Sequence, residues 1–254
     1  MAVEPARGIL GRAKAALRRA LVGKAYEGVT LVAVSQPVAE SLRGDYPSAV
    51  TTCVPNAIDF SRYNDCLSRG CSLERNLIRA LIFGSHFERK GVDVAIESCR
   101  KLIAKGIGVE LAVSVHDVEE CARKIKGLCG GTPPWLYVVP VTEYVGELYA
   151  RSDVFLSPSR SEAFGYAVVE AAYMGCAVVA SDVQGQNTLM GIPGSWWVHP
   201  EDVDGLAKAM EDAFSEYRLS SSAEFLGRRD YLKSRYGIGR WVTDMLQIYE
   251  SVSG

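Results

Sequence analysis

Two glutamates eight residues apart, Glu162 and Glu170, bracket the stretch SEAFGYAVVE (161–170), where their neighbours are small, aromatic or branched and apolar. An ionised carboxylate only accepts hydrogen bonds, and two adjacent sugar hydroxyls are donors spaced to suit its two oxygens. A ribose held by its 2′ and 3′ hydroxyls would explain Glu170. Periodicity leaves a second reading open, in which Glu170 is the solvent edge of an amphipathic helix. A further cluster lies in GSHFERKGVD (84–93), where Arg89 and Lys90 precede a helix expected from Gly91–Val92. Paired cations beside a helix N-terminus suit a diphosphate, with arginine offering a fork and lysine a point charge. A solvated loop with two surface cations is the plainer alternative. Neither GxGxxG nor GxxxxGK[ST] occurs, so dinucleotide and P-loop binding have no support.

The elements that must position these residues follow from the apolar pattern. LIRALIFG, VELAVSV, WLYVVPV, DVFLSPS, CAVVAS and SWWVH read as six strands, alternating with helical segments such as VDVAIESCRKLIAK, DVEECARKIKGL and EYVGELYAR. Strands apolar at every position, alternating with helices, predict a parallel sheet covered on both faces: a doubly wound α/β lobe over about 77–235. In such sheets ligands sit beyond the carboxyl ends of the strands. Gly84 is expected to let the backbone turn closely after the first of these strands. Ser157–Pro158–Ser159 end the fourth, Glu162–Ala163–Phe164–Gly165 form the loop, and a helix runs from about Tyr166 to Met174 with Gly175 as its stop. Free N–H groups near Phe164–Tyr166 are placed to take a phosphate or a sugar hydroxyl.

Upstream, VTLVAVS (29–35) and AVTTCV (49–54) read as strands, with a short helix from Pro37 to Gly44 between them and a turn at PNAID (55–59). Residues 60–76 read as a polar connector. The first segment is a basic amphipathic helix over about 7–24, with Ile9, Leu10, Ala13, Leu17, Ala20 and Leu21 on one face. Either it packs on its own sheet or it lies on an anionic membrane surface.

Composition narrows the class. The chain of 254 residues is 48% hydrophobic and 23% charged with net charge −2, which fits a soluble globular protein and gives no hint of nucleic-acid binding. Its seven cysteines include no CxxC pair, and read as reduced, buried thiols of a cytosolic protein. No secretory signal is visible, and the most apolar window, 167–181, is broken by Glu170 and Gly175 and is too short to span a bilayer. A cytoplasmic protein, peripheral to a membrane at most, is the expectation.

The order E-x-F-G-x-x-x-x-E, after a strand ending in P-S and before E-A-x-x-x-G-x-x-V-V-A-S, resembles the donor-site motif of the retaining GT-B glycosyltransferases of family 4, the "glycosyl transferases group 1". VAVS (32–35), VPNAID (54–59), RKGVDVAIES (89–98), ELYARSDVFLSPSRSEAFG (147–165) and HPEDVDGLAKAM (199–210) agree in the family's own order. The resemblance implies transfer of a sugar from a nucleotide-diphosphate sugar with retention, without cofactor or metal. It places Glu170 on the donor ribose and Glu162 on the donor sugar, with Ala163, Phe164, Gly165 and Tyr166 alongside. It places Lys90 on the diphosphate, near Gly84 and Ser85. Glu162 and Lys90 are thereby the expected catalytic residues. Ser85 stands where many members carry arginine, and Arg89 is expected to compensate. VELAVSVHD lacks the usual terminal glycine and Pro140 replaces another, so the base is left undefined.

By the same resemblance, residues 1–59 correspond to the end of a GT-B first lobe, 60–76 to the connector, 77–235 to the donor lobe and 236–254 to the crossing helix. The expected partners are a nucleotide sugar, an unidentified acceptor, and either a protein supplying an acceptor lobe or a second copy of the chain. The competing expectation is a non-catalytic nucleotide-sugar-binding or scaffolding subunit. The remaining candidates read as structural. His86, His116 and His199 lack ligand spacing, although His86 sits in the cation loop. Asp202-Val-Asp204 reads as a helix cap rather than a metal-binding D-x-D. Trp196 and Trp197 fit a buried strand, and Gln184, Gly185 and Gln186 lie within reach of the donor side.

Overall fold

Branched and apolar residues on both sides of a strand can be satisfied only where helices cover both faces of a sheet. The computed structural model describes residues 25–66, 76–217, 219 and 221–253, and its chain divides into two compact units, Met1–Asn56 with Trp241–Gly254, and Ala57–Arg240. The expected basic helix at 7–24 lies outside the described residues. In the smaller unit, strands β1 (Thr30–Ala33) and β2 (Val50–Cys53) pair in parallel, joined by helix α1 (Gln36–Asp45). Proline in the first turn of α1 suits its start, where no N–H is needed.

The larger unit opens with a 3-10 helix, Phe60–Cys66, inside the stretch that reads as a patternless connector. The pattern is there at a period of three: Phe60 and Tyr63 eclipse on one side of the tight helix and both enter the core. Phe60 stacks on Tyr173 with ring centroids 4.2 Å apart.

Then come β3 (Leu77–Phe83), α2 (Val92–Ala104), β4 (Gly108–Val115), α3 (Val118–Cys129), β5 (Leu136–Pro140), α4 (Val145–Ala150), β6 (Val154–Ser157), α5 (Tyr166–Met174), β7 (Ala177–Ser181) and β8 (Ser195–Val198). All six strands from β3 to β8 pair in parallel, in the order β5-β4-β3-β6-β7-β8. Alternation along β3 divides the interior in two. Ile78, Ala80 and Ile82 face one core, shared with α2 and α6 (Val203–Tyr217). Leu81 and Phe83 face the other, shared with α5 and α7 (Ser222–Tyr236). This is the doubly wound α/β sheet that the apolar runs predict. The helical tail is three helices, ending in α8 (Ile238–Ser253), within which the division between the units falls. Ser221 starts α7 with a capping box, its hydroxyl accepting from Glu224 N and the Glu224 carboxylate accepting in return. Trp241, Val242, Leu246, Tyr249 and Val252 of α8 are exposed. No helix among the described residues is long and apolar enough to cross a membrane.

A part-buried ion pair ties two strands together, and an exposed one ties two helices. Asp153 accepts from Arg79 N and Nε, both at 3.0 Å, and from Nη2 at 2.5 Å, joining the start of β6 to β3. On α6, Asp202 Oδ1 accepts from Gly205 N at 2.8 Å and Asp204 pairs with Lys101 at 2.5 Å, so both acids of the D-x-D are used at a helix start.

Candidate functional site

In the order β5-β4-β3-β6-β7-β8, the chain runs outward from β3 through β4 and β5 and returns on the opposite side at β6. The loops after β3 and β6 therefore flank the point where the strand order reverses, the place at the carboxyl end of an open parallel sheet where ligands bind. Both clusters picked out by residue chemistry sit on these two loops: 84–91 after β3 and 158–165 after β6.

The loops are joined through Glu162. Its Oε1 accepts from the Lys90 ammonium and from Ser159 Oγ at 3.1 Å, and Arg89 Nη1 stands 3.5 Å from it. Arg89 Nη1 also donates to Ser161 O at 3.2 Å. The Glu162 carboxylate is 12% exposed and Lys90 22%, so the pair is shielded but open on one side. All these contacts use Oε1. Glu162 Oε2 has no protein partner among the described residues.

Arg160 fixes the spacing of the same loops. Its backbone N–H donates to Arg89 O at 2.8 Å, its Nη1 to Glu88 O, and its Nε to Glu201 Oε1 at 2.8 Å. Two glycines make the close approach of main chains sterically feasible. Gly91, at φ +69°, would place a Cβ 2.1 Å from Pro158 O, and Gly185, at φ +92°, would place one 2.3 Å from Glu162 O. Gly84 has a different reason from the expected close turn: a Cβ there would lie 2.8 Å from Val113 Cγ1, so glycine lets β3 end against β4.

Glu170 lies one turn inside α5, half-buried, and its Oε2 accepts from Tyr149 Oη at 2.9 Å. Tyr149 is wholly buried; burial first, and the Glu170 charge second, push its hydroxyl well above the ordinary tyrosine range. Burial, then the same charge and the approach of the Glu170 carboxylate to its hydroxyl, raise Tyr63; that approach falls short of a well-formed hydrogen bond. Tyr166 is shifted the same way by burial and then that charge. Three phenols thus surround the Glu170 carboxylate. Its Oε1 has no protein partner among the described residues.

The other residues divide. Phe164 is buried against Tyr166 and Tyr236, while Ala163 and Tyr166 are exposed and Gly165, at φ +98°, caps α5 without a side-chain bond. Ser85 Oγ lies 2.7 Å from His116 Nδ1, at the edge of an open cleft of about 730 Å³ beside α3. That cleft is lined by Gly84, Ser85, His86 and Arg89 but reaches none of Lys90, Glu162 and Glu170. Gln186 is buried, its amide wholly committed: Oε1 accepts from Ser157 Oγ, and Nε2 donates to Ser157 O and Ser181 O. Its role is to clamp β6 to β7, which corrects its candidacy as a donor contact. Residue reasoning overlooked Tyr149, Ser159 and Arg160. Tyr149 lies on a different helix from Glu170, and no spacing along the chain reveals a contact between separate elements.

The model of the family described as "Glycosyl transferases group 1" matches residues 78–216, more than half of the chain. A phosphatidyl-myo-inositol mannosyltransferase of Mycolicibacterium smegmatis is 28% identical over 205 residues, covering 79% of this chain and 52% of that protein. The chain therefore spans about half the length of this curated relative. A glycosyltransferase from Rickettsia africae superposes with a TM-score of 0.77 at 19% identity, over 91% of this chain and 67% of that one. Anabaena Alr3699/HepE, solved with UDP and glucose, gives 0.72 at 17% identity, over 96% and 67%. The chain belongs to the glycosyl transferases group 1 family, and its six-stranded parallel sheet is the fold of that family's GT-B structures.

Proposed function

We propose that the larger unit binds a nucleotide-diphosphate sugar where the strand order reverses between β3 and β6, and is the donor-binding half of a retaining, metal-independent glycosyltransferase. One observation carries this reading: the Lys90–Glu162 pair, with Arg89 beside it, joins a cationic loop to an acidic loop at the point where the sheet order reverses. Lys90 and Arg89 are placed to take the diphosphate, on which negative charge develops as the glycosidic bond breaks. Glu162 Oε2 is free to accept from hydroxyls of the donor sugar, and Glu170 Oε1 from the ribose. Support for the nucleotide comes from the Anabaena structure, which holds UDP and glucose.

On this reading residues 1–59 close a first lobe, 60–76 connect it to the donor lobe at 77–235, and 236–254 form the crossing helix. The acceptor belongs to a glycolipid, surface polysaccharide or glycoprotein assembly, as the mannosyltransferase relative illustrates for one lipid. The acceptor surface comes from another lobe, from a partner protein or from a second copy. A cytoplasmic location, peripheral to a membrane at most, is part of the same proposal.

The test is a melting panel with UDP-, GDP-, ADP- and dTDP-sugars on the wild type, Lys90→Ala and Glu170→Ala. Ligand at ~100 times its dissociation constant adds roughly 2.7 kcal/mol. One nucleotide series should stabilise the wild type and neither variant. Stabilisation by none, or equal stabilisation of all three proteins, would overturn the reading.

A further inference from the structure

We infer that Tyr149 is a positioning residue that sets the preference of this site for ribose over 2′-deoxyribose, acting through Glu170; the inference rests on the donor-site reading above. A half-exposed glutamate on a helix ordinarily samples several rotamers. Glu170 does not have that freedom, because Tyr149 Oη donates to its Oε2 at 2.9 Å. The phenol is itself immobile. Its ring packs at centroid distances of 6.3, 5.5 and 5.6 Å against Tyr63, Phe83 and Phe155. Its single proton has a second acceptor in reach, Ala167 O at 3.4 Å, and the shorter, charged contact wins. Burial keeps the hydroxyl protonated, so it is always the donor and the carboxylate always the acceptor.

The consequence is directional. With Oε2 tethered, Oε1 is held at a fixed attitude, and Oε2 keeps a second lone pair with which to accept. A vicinal diol meets two acceptors already aligned. A 2′-deoxyribose leaves one of them without a donor and loses that hydrogen bond. An untethered carboxylate would instead turn to follow whichever hydroxyl is present, and the two sugars would become more alike. Tyr149 therefore contributes selectivity without touching the ligand.

Titration calorimetry with UDP and dUDP, GDP and dGDP, and ADP and dADP tests this on the full chain. The wild type should bind one ribonucleoside diphosphate at least about tenfold more tightly than its deoxy partner, the discrimination expected of one lost hydrogen bond to a charged group. Tyr149→Phe should weaken the ribonucleotide by about fivefold to tenfold and the deoxynucleotide by less than about twofold, at an unchanged melting temperature. Phe155→Leu trims the aromatic packing around Tyr149 but leaves its hydroxyl in place, and should preserve the ratio. Glu170→Asp retains the carboxylate but withdraws it from Tyr149, and should collapse the ratio even if Tyr149→Phe fails to fold. A ratio unchanged in Tyr149→Phe or in Glu170→Asp overturns the inference, as does an equal collapse in Phe155→Leu, which would make it a property of aromatic packing. If the wild type binds none of the six diphosphates, the donor-site reading falls and this inference falls with it.

Discussion

Arg160 holds Asp93 with both arms of its guanidinium, Nη1 to Oδ1 at 2.9 Å and Nη2 to Oδ2 at 2.8 Å, and so joins the β6–α5 loop to the first turn of α2. The same arginine reaches Glu88 and Glu201, and its main chain holds Arg89. Lys90 lies between the two anchored positions. Arg160→Gln should therefore lower stability by about 1–2 kcal/mol, the worth of charge-assisted hydrogen bonds at a partly exposed position. It should also weaken nucleoside diphosphate binding more than nucleoside binding. Melting curves and paired titrations with the two ligands check both parts.

The same pair gives a pH dependence. Burial opposes ionisation of Asp93, but the hydrogen bonds and charge of Arg160 outweigh it and hold the carboxyl below its ordinary range. A depressed carboxyl stabilises the fold above its unfolded value of about 3.9, and the contribution is lost as pH falls through the folded value. The melting difference between wild type and Arg160→Gln should be constant from roughly pH 5 to 8 and shrink below roughly pH 4. A difference that grows on acidification would contradict the assignment.

Gly185→Ala sets a positive φ against a Cβ and drives that Cβ to within 2.3 Å of Glu162 O. The backbone must move, at a cost of about 2 kcal/mol or more. Because the displaced main chain carries Glu162, nucleotide-sugar binding should fall further than stability alone explains. Binding measured well below the variant's melting temperature separates the two effects.

Asp153 is 4% exposed and accepts three hydrogen bonds from Arg79. Asp153→Ala leaves a guanidinium and a main-chain N–H without this acceptor, and should cost about 3 kcal/mol. Denaturant titration should show a lower midpoint at an unchanged slope.

Burial raises Cys99 and Cys176 to about 12 and Cys121 to about 11. Cys53 and Cys129 are only partly buried, a departure from the expectation that the thiols are uniformly sequestered. In native protein at pH 8, an aromatic disulfide reagent should leave Cys99 and Cys176 unmodified until the chain unfolds. Mass spectrometry of labelled peptides identifies the sites.

The sheet could be read from the sequence because each strand is apolar throughout, and α5 because Gly165 and Gly175 punctuate both ends. The two acidic positions and the Arg89–Lys90 pair stood out by residue type against their neighbours. The partners of those groups did not. Tyr149 is eclipsed by an ordinary amphipathic segment, Arg160 resembles any surface arginine in SPSRSE, and Phe60 and Tyr63 follow a period of three that a search at 3.6 or 2 overlooks. Each owes its role to a contact between elements distant in the chain. The glycines gave the opposite difficulty: Gly84, Gly91 and Gly185 look alike on the page but answer to a valine methyl and two different carbonyls.

Both site carboxylates are moored by one oxygen and open at the other, Glu162 through Lys90 and Ser159, Glu170 through Tyr149. An arriving ligand then meets groups whose rotor freedom was surrendered when the chain folded, and freezing a rotamer-rich side chain on binding would otherwise cost about 0.5–1.5 kcal/mol. The entropic toll of recognition is thus shifted from the encounter to the fold, and the grip on the ligand inherits the rigidity of two cores.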